Sequence, residues 1–241
     1  MWIDVINLKD FYKSSIGMIA QHSISRQLRI MWPNVSEQSV LCIGYGLPYL
    51  DLFRGEATRT IAAMPAAQGV LRWPQNAQNL ATLVDETELP FQDLSVDRVL
   101  LIHALEYAEN IHPLLREIWR ILTGSGKLIV VAPNRKGLWA LLEKTPFGNG
   151  QPFSQRQLSR LLRDNLFVPL KTHPALFTPP SQSKMILSSA AAWDKVGGLT
   201  FKTFSGVMLS EATKQLYAAR ITPIKETKGR YLPANKETTR T

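Results

Sequence analysis

A Gly-x-Gly turn directly after a short apolar run is the stretch of this sequence that most clearly suggests ligand chemistry. Residues 39–43 read Ser-Val-Leu-Cys-Ile, and Gly44, Tyr45 and Gly46 follow at once. Glycine lacks a Cβ, so the chain can bend sharply here and a ligand can approach backbone N–H groups. A strand, a glycine turn and a helix in that order predict a nucleoside- or anion-binding site at the end of the strand.

Histidine is the second residue type that could carry chemistry, because its ring transfers protons near neutral pH. His103 directly follows an apolar run, and we take it as the candidate catalytic residue, with a structural core histidine as the alternative. The other three histidines are far apart and have no ligand spacing, and the chain has one cysteine, Cys42. The sequence therefore predicts no metal site and no intrachain disulfide.

Alternating strands and helices must position these groups. Apolar runs predict strands over residues 40–43, 58–64, 81–84, 96–102, 127–132, 167–177 and 206–210. Helical spacing predicts helices over residues 4–31 with a break at Gly17, and over 50–53, 114–122, 154–165 and 184–196, with a glycine stop at residues 124–126. Such alternation is typical of an α/β protein with a doubly wound, mostly parallel sheet and helices on both faces.

Composition indicates a globular protein with a basic surface. The 241 residues are 45% hydrophobic and carry a formal net charge of +9, which indicates either an anionic partner such as nucleic acid or a membrane surface, or an ordinary soluble protein with a basic surface. No signal-like apolar segment opens the chain, and no run is long enough to span a membrane, so we expect a cytoplasmic protein. We predict one domain over residues 1–220, including a helical addition at 1–35 and substrate-side additions at 136–220, and a basic mobile tail over 221–241.

Three further blocks carry a family resemblance. Residues 89–99 read Leu-Pro-Phe-Gln-Asp-Leu-Ser-Val-Asp-Arg-Val, and residues 105–107 read Leu-Glu-Tyr. Residues 116–122 read Arg-Glu-Ile-Trp-Arg-Ile-Leu, followed by Gly-Ser-Gly-Lys-Leu at 124–128. With the glycine turn, these blocks resemble the class I S-adenosylmethionine-dependent methyltransferases of the type 11 group over about residues 36–135. The resemblance implies a Rossmann-like, seven-stranded sheet and S-adenosylmethionine-dependent methyl transfer to an unidentified acceptor.

The resemblance also implies roles for individual residues. Gly44, Tyr45 and Gly46 would hold the methionine part of the cofactor, and Asp85 would bind the adenine amino group, with the backbone of Glu86 beside it. His103 and Leu105 fall at positions that face the sulfonium or the substrate. Met64 falls where the second strand meets the cofactor. The aromatic residues around segment 146–150 are interpreted either as the wall of a substrate pocket or as an ordered surface loop, namely Trp139, Phe147 and Phe153.

The chain departs from the family pattern at three places. Cys42 stands where the family has an acidic residue, Pro48 where it has a third glycine, and residues 63–65 end the second strand without the carboxylate that binds the ribose hydroxyls. Loss of such a contact costs about 1–3 kcal/mol of binding free energy. An alternative prediction follows, in which the protein keeps the fold, is catalytically degenerate and acts as a binding or scaffolding partner.

Overall fold

The computed structural model describes residues 2–181, 183–200 and 202–216. Seven strands form one sheet: β1 (Ser39–Gly44), β2 (Arg59–Pro65), β3 (Ala81–Val84), β4 (Val96–Ile102), β5 (Leu122–Pro133), β6 (Phe167–Ala175) and β7 (Val207–Lys214). Seven α-helices accompany them: α1 (Val5–Lys13), α2 (Ser15–Met31), α3 (Leu47–Leu50), α4 (Ile111–Ile121), α5 (Gln155–Asp164), α6 (Lys184–Ser188) and α7 (Ala190–Thr200). Short 3₁₀ helices lie at Leu138–Leu141 and Lys202–Phe204.

The strand order of the sheet is β3-β2-β1-β4-β5-β7-β6. Strand β1 pairs in parallel with both β2 and β4, and β4 pairs in parallel with β5. Only β7 runs antiparallel to its neighbours, β5 and β6. The chain order reverses between β1 and β4, and the carboxyl ends of these two strands are where an open α/β sheet binds ligands. The predicted doubly wound, seven-stranded sheet is confirmed.

Hydrophobic cores cover both faces of the sheet because alternate residues of each central strand point to opposite sides. In β1, Val40 and Cys42 belong to the core under α1 and α2, whereas Leu41 and Ile43 belong to the core under α4 and α5. This two-sided burial explains why the parallel strands read as nearly continuous apolar runs.

Several predicted element boundaries are wrong, and three of them have a clear physical reason. The break in the first helical segment is at Ser14, whose hydroxyl accepts a hydrogen bond from the N–H of Gly17 and so caps α2. Helix α3 begins at Leu47, earlier than predicted, because a proline such as Pro48 fits the first turn of a helix. Helix α4 ends at Ile121, and residues 124–126 belong to β5, so the glycines there do not stop a helix.

Two residues of α4 fix the segment that precedes β4. The guanidinium of Arg120 donates to the carbonyl oxygens of Leu89 and Phe91 at 2.8 Å each. The carboxylate of Glu117 accepts from the N–H of Leu89 at 2.8 Å and from Arg120 at 2.7 Å. The two sequence blocks at 89–99 and 116–122 are therefore parts of one hydrogen-bonded unit.

The part of the chain that the structure describes contains no helix long and apolar enough to cross a membrane. The predicted tail over residues 221–241 lies outside the described residues.

Candidate functional site

The glycine turn packs tightly against the neighbouring strands. Gly44 has a φ of +92°, and a Cβ there would lie 2.2 Å from the carbonyl oxygen of Ile102 in β4. A Cβ at Gly46 would lie 2.0 Å from Sγ of Cys42. Glycine is therefore required at position 44 by the backbone conformation, and at position 46 by the close approach of the Cys42 side chain.

Helix α1 covers this turn. The N–H of Val5 donates to the carbonyl oxygen of Gln68 at 2.9 Å, which fixes the start of the helix next to the turn after β2. Near the other end of α1, the ring of Tyr12 stacks on that of Tyr45, with centroids 5.7 Å apart and planes 20° apart. Tyr45 is only 4% exposed as a result. The predicted N-terminal helical addition thus forms a wall of the candidate site.

His103 lies at the centre of the site, directly after β4. The side chain is 0% exposed, and the backbone has a φ of +50°, a left-handed conformation that is uncommon for residues other than glycine. Nε2 lies 2.6 Å from the hydroxyl oxygen of Tyr12, and the hydroxyl of Tyr49 donates to that of Tyr12 at 2.8 Å. Tyr12 therefore connects Tyr49 to His103 in a chain of buried hydrogen-bonding groups.

Glu106 completes this network from the other side of the ring. Its Oε1 lies 3.3 Å from Nδ1 of His103, and both side chains are buried. The contact lacks hydrogen-bond geometry, and Oε2 of Glu106 has no hydrogen-bond partner among the described residues. Oε1 of the nearby Gln68 also lacks a partner. The site therefore contains buried acceptor atoms that nothing in the described chain satisfies.

Burial keeps the tyrosines of the site protonated. Desolvation, followed by the influence of Tyr49, raises the pKa of Tyr12 well above its usual value. Desolvation also raises the pKa of Tyr45 to about 12, with a smaller contribution from Asp10. At neutral pH both hydroxyls are therefore protonated and able to donate a hydrogen bond.

A second wall comes from the segment after β5. The ring of Phe147 lies 4.9 Å from that of His103 and 6.0 Å from that of Phe11. The hydroxyl of Tyr107 donates to the carbonyl oxygen of Pro146, and the N–H of Gln151 donates to the carbonyl oxygen of Glu106 at 2.8 Å. Segment 146–151 and α1 together enclose His103, which supports the interpretation of Phe147 as a wall residue.

The structure brings together only some of the predicted site residues. Met64 and Leu105 are fully buried in the two cores. Asp85 is exposed at the end of β3, where its carboxylate accepts from the N–H and the hydroxyl of Thr87 at 2.8 and 2.7 Å. The hydrogen bond from the hydroxyl of Thr87, and then that from its N–H, lowers the pKa of Asp85. Glu86 is half-buried beside it. Cofactor contact by these four residues stays a prediction.

Sequence reasoning missed Gln68 as a site residue, and it left Tyr12 and Glu106 with other roles. Tyr12 has the spacing of a core residue in α1, and Glu106 reads equally well as a helix-start residue. Gln68 is a single polar residue in a turn, and no pattern in the sequence singles it out. Among the described residues no cluster of three or more His, Cys, Asp or Glu side chains could hold a metal ion.

Comparison with known proteins supports the same fold and family. Residues 41–130 match the family described as a methyltransferase domain. No curated protein sequence matches the chain. A Thermotoga maritima protein described as a SAM-dependent methyltransferase superposes with a TM-score of 0.60 at 19% identity, covering 86% of this chain and 93% of that one.

Two archaeal structures are also similar. A Haloferax volcanii protein solved in complex with a methyltransferase activator has a TM-score of 0.62 at 16% identity, covering 88% of this chain and 98% of that one. A SAM-dependent methyltransferase from Archaeoglobus fulgidus has a TM-score of 0.57 at 18% identity, covering 79% and 93%. At such identities these structures establish the fold.

Proposed function

We propose that this protein methylates an acceptor with S-adenosylmethionine as the methyl donor, because residues 41–130 match the methyltransferase-domain family and the fold is that of known S-adenosylmethionine-dependent methyltransferases. The reaction site is the crevice at the carboxyl ends of β1 and β4, between α1 and segment 146–151. We propose that His103 lies in this crevice and accepts the proton of the acceptor.

One observation carries the proposal: buried acceptor atoms without partners among the described residues lie around His103. Oε1 of Gln68 and Oε2 of Glu106 are buried and lack hydrogen-bond partners among the described residues. Each such atom costs about 1–3 kcal/mol of folding free energy, so proteins keep few of them away from functional sites. A ligand that brings hydrogen-bond donors into the crevice would remove this cost.

The residues of the crevice fit S-adenosylmethionine in their chemistry. The unsatisfied acceptors match the ammonium and hydroxyl donors of the cofactor. When bound, the cofactor supplies a methyl group on a sulfonium, which a nucleophile displaces in a single step. Tyr12 stands over the turn, so entry of the cofactor requires α1 to shift.

His103 and Glu106 are suited to manage a proton in this crevice. In the tautomer that carries its ring proton on Nδ1, beside Glu106, His103 offers Nε2 as an acceptor at the position that the hydroxyl of Tyr12 contacts. An acceptor hydroxyl or amine in place of Tyr12 would give its proton to Nε2, and Glu106 would stabilise the resulting imidazolium. The aromatic walls exclude water from this transfer.

Calorimetric titration with S-adenosylhomocysteine, the product form of the cofactor, tests the proposal. We expect saturable binding by the full chain, weakened in Gly46→Ala and unchanged in Gly55→Ala, since a Cβ at Gly55 has open space around it. No heat at millimolar ligand, with an unchanged circular dichroism spectrum, would overturn the proposal. That outcome favours the alternative, a degenerate methyltransferase fold that serves as a binding or scaffolding partner.

Because the chain carries a net charge of +9, we also propose an anionic acceptor or partner, and nucleic acid is the example to test. Binding of this kind weakens steeply as salt concentration rises. Fluorescence anisotropy with a labelled RNA at 50 and 200 mM salt measures it, and affinity that does not depend on salt excludes it. We also keep the cytoplasm as the proposed compartment.

A further inference from the structure

We propose that Gln68 binds the cofactor, its side-chain carbonyl accepting a hydrogen bond from a ribose hydroxyl. The proposal rests on the proposed function, because the ligand is the same nucleoside cofactor in the same crevice. It assigns a ribose contact to Gln68, which follows the end of the second strand, where residues 63–65 supply no carboxylate.

Gln68 reaches the centre of the crevice from the end of β2. Its N–H donates to the carbonyl oxygen of Pro65 at 2.9 Å, which closes the turn after that strand. Its side-chain Nε2 donates to the carbonyl oxygen of His103 at 2.8 Å, at the end of β4. Since β1 lies between β2 and β4 in the sheet, the side chain of Gln68 must cross the end of β1.

The crossing places Gln68 beside the glycine turn. A Cβ built on Gly44 would lie 3.1 Å from the same carbonyl oxygen of His103 that Gln68 contacts. Gly44 and the amide of Gln68 therefore lie near the same carbonyl oxygen, and a ligand bound along the glycine turn would lie near the amide of Gln68. With Gln68 only 1% exposed, the amide belongs to the crevice and not to the surface.

The orientation of the amide is fixed by its partner. The carbonyl oxygen of His103 accepts hydrogen bonds only, so the side-chain NH₂ of Gln68 must face it and Oε1 must face away. Oε1 has no hydrogen-bond partner among the described residues. A buried acceptor in this position requires an O–H or N–H donor, and the ribose hydroxyls of a nucleoside supply one.

The sequence around β2 makes Gln68 the residue available for this contact. The strand ends in Ala63, Met64 and Pro65, and residues 66 and 67 are alanines, so none of these side chains can form a hydrogen bond. Gln68 is the next residue along the chain. A neutral amide accepts a weaker hydrogen bond than a carboxylate does, so the contact should strengthen when the amide becomes an acid.

Calorimetric titration of Gln68→Leu and Gln68→Glu with S-adenosylhomocysteine tests the assignment. We expect binding about tenfold weaker in Gln68→Leu, which lacks the acceptor, and several-fold tighter in Gln68→Glu. In the free Gln68→Glu variant the carboxylate faces the carbonyl oxygen of His103, so its melting temperature should fall while the increase on adding ligand becomes larger. Wild-type affinity in Gln68→Leu, or equally weak binding in both variants, would overturn the assignment.

Gln38 provides a matched control. Its Oε1 is also buried and has no hydrogen-bond partner in the part of the chain that the structure describes, but Gln38 precedes β1 and so lies at the opposite end of the strands. Gln38→Leu and Gln38→Glu should bind S-adenosylhomocysteine as the wild type does. An equal change in affinity at both positions would indicate a general effect on the fold and would refute a local contact at Gln68.

Titration with 5′-methylthioadenosine tests the ribose assignment, because this compound keeps the ribose and adenine but has no ammonium group. The ratio of affinities between the wild type and Gln68→Leu should be the same for both ligands. If Gln68→Leu weakens the binding of S-adenosylhomocysteine but not that of 5′-methylthioadenosine, the ribose contact is refuted. If the wild type binds neither compound, the proposed function fails as well; if it binds both and the Gln68 variants are unaffected, only this inference fails.

Discussion

The hydroxyl of Tyr12 lies 2.6 Å from Nε2 of His103, a hydrogen bond between residues 91 positions apart in the chain. It connects the N-terminal helix to the residue that follows the central strand β4. The hydroxyl of Tyr12 occupies the place where an acceptor's reactive group would meet His103. The N-terminal helix is therefore part of the candidate site as well as a cover over the core.

Tyr12→Phe should destabilise the protein by about 1–3 kcal/mol, because it leaves Nε2 of His103 buried without a partner. Tyr49→Phe is the matched control. It removes one donor to Tyr12 and leaves the bond to His103 in place, so its cost should be smaller. Urea unfolding of the three proteins measures the difference, and an equal cost for both variants would contradict this order.

Glu117→Gln should destabilise the segment before β4 in a pH-dependent way. Hydrogen bonds from Arg120, and less strongly from Leu89, hold the pKa of Glu117 below its usual value. A lowered pKa in the folded state means that the carboxylate stabilises the fold above its unfolded pKa of about 4.3, and that this stability is lost as pH falls through the folded pKa. The wild type should exceed Glu117→Gln by about 1–3 kcal/mol at pH 7.

Urea unfolding at pH 7, 5 and 3.5 checks this dependence, and the difference between the two proteins should shrink at the lowest pH. Glu109→Gln is the control, since Glu109 is exposed. A difference for Glu117→Gln that stays constant over this range would show that the lost interaction does not depend on the charge of the carboxylate.

Gly46→Ala should destabilise the turn by about 1–3 kcal/mol through overpacking, since the new Cβ would lie 2.0 Å from Sγ of Cys42. The double variant Cys42→Ala/Gly46→Ala should recover much of this loss, because alanine at position 42 removes the sulfur. Thermal unfolding of the two single variants and the double variant measures the coupling. Additive effects would mean that the two side chains do not share this space.

Binding of S-adenosylhomocysteine should increase hydrogen exchange in α1. The hydrogen bond between Tyr12 and His103 and the stacking of Tyr12 on Tyr45 hold this helix in place, and entry of a ligand at the glycine turn disrupts both. Exchange measured by mass spectrometry should change over residues 5–13 and stay the same in α5, which packs on the other face of the sheet. Unchanged or slower exchange in α1 would contradict the expected displacement.

The central strands could be predicted because they are buried on both faces. Strands β3 and β4 have their predicted bounds, 81–84 and 96–102, since the apolar runs there are short and end sharply. The end of α4 could not be predicted from residues 124–126, because β5 begins at Leu122 and tertiary pairing extends the strand through the glycines. The helix break at Ser14 depends on a side-chain cap, whereas the sequence pattern favours a break at Gly17, three residues later.

The candidate site was predicted in part. The structure brings together the glycine turn and His103, which the sequence predicts from short stretches, and their contact with a cofactor or substrate stays a prediction. Gln68 and Tyr12 could not be identified, because their roles arise only where the end of β2 and the N-terminal helix meet the end of β4. Distant contacts of this kind leave no periodic trace in the sequence.

Arg120 contacts the segment before β4 mainly through main-chain carbonyl oxygens, those of Leu89 and Phe91. These hydrogen bonds do not depend on which side chains stand at positions 89 and 91, but they do depend on the number of residues between the two carbonyl groups. The length of segment 89–91 is consequently more tightly constrained than its side chains, whereas at Asp93 the side chain itself matters, because its carboxylate accepts from Arg120 at 2.6 Å. Insertions within segment 89–91 should be tolerated much less well than substitutions of the same residues.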